Sequence, residues 1–260
     1  MSFIISVANE KGGVAKTTTV TSLGASLNEM GFKVLVVDLD TQANLSLGLG
    51  IEPEKVTQSL VKVFLESAPI KNTVVETHIS GLDIIPSNIE MGMVERFLPI
   101  RSGYETTLQR AIENNLPGYE FIIIDCPPFL GAVTLNALVA SNLLLIPTQA
   151  EYFSIYALRN LMNLVRRIRG QYNPRLTYRL LLTMYDKRNR IHRNLNEQLY
   201  TTFGNGVFTT IIETDTKLRE APIAGLPIIY HAPKSRASLQ YRALAQEIHE
   251  YVKETAAQPA

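Results

Sequence analysis

The chain has 260 residues, 46% of them apolar, and a formal net charge of +1; this mass supports a sizeable core, so one domain over residues 1–254 is expected, with 255–260 as a disordered tail. Its apolar runs are far too short to span a bilayer, its N-terminus lacks the pattern of a signal peptide, and its one cysteine, Cys126, excludes an intramolecular disulfide framework and fits a reducing cytoplasm. The four histidines lie far apart without ligand spacing, which argues against a zinc site.

Short apolar runs at 3–8, 33–38, 82–86, 119–125, 142–147, 179–184, 207–212 and 227–229 predict strands. Amphipathic stretches at 16–30, 89–97, 104–115, 132–140, 155–170, 191–203 and 235–254 predict helices between them. Val34-Leu35-Val36-Val37 and Phe121-Ile122-Ile123-Ile124 are apolar on both faces, as a central parallel strand requires. The alternation predicts an α/β fold: a doubly wound, mostly parallel twisted sheet with helices on both faces. Right-handed crossovers then place the functional loops at the carboxyl ends of the strands.

The first such loop reads Asn9-Glu10-Lys11-Gly12-Gly13-Val14-Ala15-Lys16-Thr17-Thr18-Thr19. A strand, a glycine loop and a helix start make an anion cradle of backbone N–H groups, reinforced by the helix dipole. Lys16 is placed to reach β- and γ-phosphates, the Thr17 hydroxyl to ligate Mg²⁺, and Thr18 to meet the α-phosphate. Gly12 and Gly13 let the backbone approach without a Cβ in the way. The strict P-loop pattern wants glycine at 10 and 15, where this chain has Glu10 and Ala15. If position 15 needs a positive φ, alanine costs about 1 kcal/mol or more.

Two further strand ends carry carboxylates. Val36-Val37-Asp38-Leu39-Asp40 places Asp40 where it can orient or deprotonate an attacking water. Ile124-Asp125-Cys126-Pro127-Pro128 places Asp125 where it would hold Mg²⁺ through a water. The candidate metal set is therefore Thr17, Asp125 and Asp40. Lys11, five residues before Lys16, sits on the rim of the loop, where it is suited to neutralise charge from a neighbouring subunit.

Charge is unevenly spread. Residues 159–193 hold ten Lys and Arg against one acid, whereas 1–158 hold nine against sixteen. Such a block suggests a surface for a polyanion. No aromatic ladder interleaves it, so phosphate contact without sequence readout is expected. Arg166 and Arg190 belong to the block, and Arg219 is a further candidate.

These motifs resemble those of the ParA/Soj family of partition ATPases. Lys11-Gly12-Gly13-Val14-Ala15-Lys16-Thr17-Thr18 is similar to its deviant Walker A motif, Asp38-Leu39-Asp40-Thr41-Gln42-Ala43-Asn44 to its second conserved segment, and Asp125-Cys126-Pro127-Pro128 to its Walker B region. Leu181-Leu182-Thr183-Met184-Tyr185-Asp186 and Leu218-Arg219-Glu220-Ala221-Pro222 look like later segments, so the resemblance spans about residues 2–252. It implies ATP and Mg²⁺ as cofactors, a homodimer with two ATP molecules sandwiched between subunits, and Lys11 reaching the partner's phosphates. It also implies slow hydrolysis with Asp40 activating the water, stimulation by a ParB-like protein, and non-specific double-stranded DNA bound in the ATP state. The protein would then be cytoplasmic and nucleoid-associated, serving plasmid or chromosome partition; the same cycle could position a protein cargo. Residues 252–260 lack the amphipathic basic helix of a MinD-like membrane cycler, so no membrane is expected. By position, the resemblance points to Arg188 and Lys217 for DNA contact, and to Met184 and Asp215 near the base. Thr41 stands where the family has proline, which would loosen the turn after Asp40.

Overall fold

The computed structural model describes residues 2–116 and 118–257, with the side chains of 114, 152–157 and 257 outside the description. Its strands are β1 Phe3–Val7, β2 Val34–Asp38, β3 Val75–Glu76, β4 Leu82–Ile85, β5 Phe121–Asp125, β6 Leu143–Gln149, β7 Thr177–Tyr185 and β8 Val207–Glu213. The α-helices are α1 Lys16–Glu29, α2 Asn44–Gly48, α3 Leu60–Glu66, α4 Met91–Phe97, α5 Thr107–Asn115 and α6 Ala132–Ala140. They continue with α7 Tyr152–Gln171, α8 Arg190–Phe203, α9 Lys217–Glu220, α10 Ile228–His231 and α11 Arg236–Ala257.

One eight-stranded sheet runs in the order β3-β4-β2-β5-β1-β6-β7-β8, parallel except for the β3–β4 edge. Side chains alternate across it, as the two-residue period of a strand requires. Ile4, Ile122, Ile124, Leu144, Ile146 and Leu180 join the core beneath α3 to α8, while Ile5, Val7, Ile123, Leu143 and Leu145 join the core beneath α1, α2, α10 and α11. Both faces are covered, which is why these strands read as continuous apolar runs. β1 lies between β5 and β6, with β2 beyond β5. Chain connections therefore depart to opposite sides of the centre, opening a crevice at the carboxyl ends of β1, β2 and β5.

The doubly wound α/β expectation holds, with local corrections. Residues 227–229 form no strand: Pro227 caps α10, and Ile228 and Ile229 are buried against the α1–α11 layer. Proline has no N–H to give a ladder and its fixed φ suits a helix start, so the turn wins over the apolar run. The short α2 and α3 and the two-residue β3, whose side chains are exposed, had no period long enough to read. The expected tail is helical over 255–257, where α11 continues; 258–260 lie outside the described residues.

Candidate active site

The loop between β1 and α1 is pinned from several sides. The Asn9 side chain donates to the Pro147 carbonyl at 2.8 Å and accepts from the Lys11 N–H at 3.0 Å. The Gln149 amide donates to the Gly13 carbonyl at 3.1 Å, and the Thr183 hydroxyl to the Val14 carbonyl at 3.1 Å. Gly13 has φ +71°, and a Cβ on Gly12 or Gly13 would project into open space rather than into protein. Ala15 also has positive φ, +66°, so the strain anticipated for alanine at this position is present. It precedes α1, whose first turn has no side-chain cap. Those N–H groups are free to serve an anion.

Lys16 lies against this turn, largely buried, its ammonium donating to the Lys11 carbonyl at 3.3 Å. Burial pushes its pKa down, with Asp125, Cys126 and Asp40 pulling the other way. Asp125 is buried at the end of β5; its Oδ2 accepts the Thr17 hydroxyl at 2.6 Å, and its Oδ1 has no protein partner. Burial first, then the charge of Asp38, raises its carboxyl well above the usual range. An orphaned buried carboxylate oxygen beside a threonine hydroxyl is a fitting donor set for a hard divalent cation. Among the described residues no cluster of three or more His, Cys, Asp or Glu offers another metal site.

Asp38, opposite Asp125 in the β2–β5 register, is fully buried. Its Oδ1 accepts the Asp40 N–H at 3.1 Å, and its Oδ2 accepts the Ser46 N–H at 3.0 Å and hydroxyl at 2.8 Å. Burial raises its pKa to about 6 against these hydrogen bonds. Asp40 itself is half-buried and closes its own turn, accepting the Gln42 N–H on Oδ1 and the Ala43 N–H on its carbonyl, both at 3.0 Å. The turn after Asp40 is therefore held despite Thr41, contrary to the looser turn expected. Gly12, Gly13, Ala15, Lys16, Thr17, Thr18 and Asp40 line one cavity of about 660 Å³.

A second cavity of about 250 Å³ shares Gly13, Ala15 and Thr18 and extends to Met184 and Asp215. Met184 has φ +52°, and its sulfur accepts from the Gln149 amide. The Asp215 carboxylate is engaged by the N–H groups of Lys217 and Ala237, at 3.0 and 3.2 Å, so it organises the β8–α9 loop and the start of α11. Val14 is buried and contributes only backbone to the loop. Lys11 turns toward the end of β6, donating to Gln149 Oε1 at 2.8 Å and pairing with Glu151.

A family model described as AAA domain matches residues 2–178. The sporulation initiation inhibitor protein Soj of Bacillus subtilis is 40% identical over 249 residues, covering 95% of this chain and 98% of Soj. The chain belongs to the ParA/Soj family. The chromosome partitioning protein ParA of Caulobacter vibrioides is 36% identical, covering 94% of this chain and 93% of that relative. Among solved structures, a cobyrinic acid a,c-diamide synthase from Mycobacterium smegmatis with bound ADP and magnesium superposes with TM-score 0.87 at 32% identity, covering 100% of this chain and 99% of that one.

Within this ParA/Soj chain the basic residues singled out from sequence do not form one patch. Arg188, Arg190, Lys217 and Arg219 follow the carboxyl ends of β7 and β8, on the edge that carries the phosphate loop. Arg166 lies well down α7, which runs back toward the start of β7, so it sits toward the opposite edge. Asp38 received no role from sequence, although the Asp38-Leu39-Asp40 spacing was the available signal. Glu95 was missed too: from α4 it accepts the Ala132 and Val133 N–H groups at 2.6 and 3.1 Å, fixing the start of α6 after the Asp125 loop. No local pattern marks such a contact. Among the described residues no helix is long and apolar enough to cross a membrane.

Proposed function

We propose that this chain is an ATPase working as a dimerising switch in DNA partition, binding DNA without sequence preference in its ATP state. The observation that carries this reading is the join of the glycine loop, buried Lys16 and the Thr17–Asp125 pair, with one oxygen of Asp125 unsatisfied. Residues 1–254 would act as one P-loop unit. Backbone N–H groups of Gly12 to Thr18 would hold the phosphates, with Lys16 on the β- and γ-groups and Thr18 on the α-group. Thr17 and Asp125 would hold Mg²⁺, with Asp40 near its water shell; the cation supplies charge neutralisation for the departing phosphate oxygens. Asp40, aimed by Asp38, would orient the attacking water. Met184 and the backbone around Asp215 would border the base.

The reading extends to a homodimer in which each Lys11 leaves Glu151 to meet the partner's phosphates. Hydrolysis would be slow until a ParB-like protein stimulates it, and DNA would be met first by Arg188, Arg190, Lys217 and Arg219. The family membership and the ADP and magnesium of the solved neighbour support the nucleotide half. The test is retardation of duplex DNA by purified protein with ATP, ADP or no nucleotide. A much stronger shift with ATP than with ADP or no nucleotide, the ATP-dependent gain abolished in Lys16→Ala and prolonged in Asp40→Ala, is expected. Equal retardation in every nucleotide state would refute the switch.

A further inference from the structure

Residues 159–179 hold six arginines and no acid. Four of them, Arg166, Arg167, Arg169 and Arg175, are exposed where α7 ends and the chain turns into β7. Ile168 between them, and Leu164, Val165 and Leu176 flanking them, are buried, so the arginines stand on a backbone anchored to the core. Among the described residues none of the four makes an ion pair. Arg166 donates to Asn163 Oδ1 at 3.0 Å, and the acid recorded beside this helix end, Glu105, accepts the Tyr172 hydroxyl.

The opposite edge is different. There acids stand among the cations: Arg188 pairs with Asp186, Lys217 with Glu220, and both Lys187 and Arg236 with Glu213, while among the described residues Arg190 and Arg219 make no ion pair. One cation in the last turn suffices to offset the helix dipole, which accounts for Arg169 but not for its three companions. The two basic groups are separated by the length of β7, nine residues, or roughly 25 Å.

We infer that the end of α7 is a second polyanion surface, and that its ligand is the phosphate backbone of duplex DNA. Weakly hydrated, planar guanidinium groups suit phosphate oxygens. A lipid surface is disfavoured because no large apolar side chain in the described part of 158–190 is exposed to anchor it. The surface faces away from the phosphate-loop edge, so closing two subunits over nucleotide neither creates nor covers it. It is open in every nucleotide state, and a dimer holding one duplex at the phosphate-loop edge can touch a second. This last step rests on the DNA reading proposed above.

The test uses the full chain with Arg166, Arg167, Arg169 and Arg175 all changed to Gln, and a second variant with all four changed to Lys. Anisotropy of a labelled duplex is followed over a salt series with ADP, and capture of that duplex by protein bound to an immobilised one is followed with ATP. Wild type should bind with ADP weakly and salt-dependently. The Gln variant should lose at least tenfold in affinity, the slope of log K against log salt should fall by about three to four, and capture should vanish; the Lys variant should restore all three. Unchanged ADP binding and capture in the Gln variant overturns the second surface. So does binding of anionic vesicles or polyglutamate in place of DNA. ADP-state binding that the Gln variant loses, without any gain of DNA affinity on adding ATP, upholds the surface and removes the switch instead.

Discussion

The ends of β1, β2 and β5 and the ends of β7 and β8 face the same crevice but are built on different physics. At the centre, Asp38 and Asp125 are buried side by side, and Thr17, Ser46 and the Asp40 N–H are committed to them. At the outer strands several exposed charges are paired with one another, as Arg188 is with Asp186 and Lys217 with Glu220, and the β7–β8 register shifts twice. Desolvated carboxylates are poised for a cation to relieve them, whereas solvated ion pairs hold little energy in reserve. The proposed chemistry is thus assigned to the centre and the proposed DNA contact to the rim.

Five substitutions or conditions would break or sharpen that contrast. The largest effect is expected from Lys16→Ala, which should lower ATP turnover at least about 100-fold, as loss of a buried phosphate contact does; a loss under threefold would place the chemistry elsewhere. Next, Asp38→Asn should cut kcat roughly tenfold while leaving ATP affinity within about twofold, because an amide cannot accept from both Asp40 and Ser46. An equal fall in affinity would make Asp38 merely structural.

The pH response follows from the same pair. The folded-state pKa of Asp38, about 6, lies above its ordinary 3.8, and Asp125 is shifted the same way. Between those values the folded chain binds more protons than the unfolded one, so stability without ligand should fall as pH rises through about 6. Thermal melts at pH 5 and 7.5 check this; a higher midpoint at 7.5 would contradict it, and Asp125→Asn should flatten the dependence.

Ala15→Gly comes next, stabilising by about 0.5–1 kcal/mol once relief of the positive φ is set against the freedom glycine gains when unfolded. Denaturant titration would show it, and destabilisation would mean the alanine methyl packs usefully. The smallest effect belongs to the rim: Arg188→Ala should leave the melting temperature within about a degree while weakening DNA contact.

Much of the central half was legible in the chain. Apolar runs ending in aspartate, and a glycine loop opening a helix, are local patterns whose geometry is dictated by strand and helix periods. Asp38's place as the hub was hidden because it depends on Ser46, which sits on a helix too short to show a period. Likewise the grip of Gln149 on Gly13 and of Glu95 on α6 joins residues far apart in sequence. The basic block read as one surface because its residues are neighbours in the chain; a full strand separates its two ends in space.

Titration calorimetry of ATP with magnesium into the purified chain tests the central claim most directly. Saturable heat at one nucleotide per chain, lost in Lys16→Ala and weakened when magnesium is chelated, is the predicted result. Folded wild-type protein that gives no heat, or a Lys16→Ala variant that binds as tightly, would contradict it.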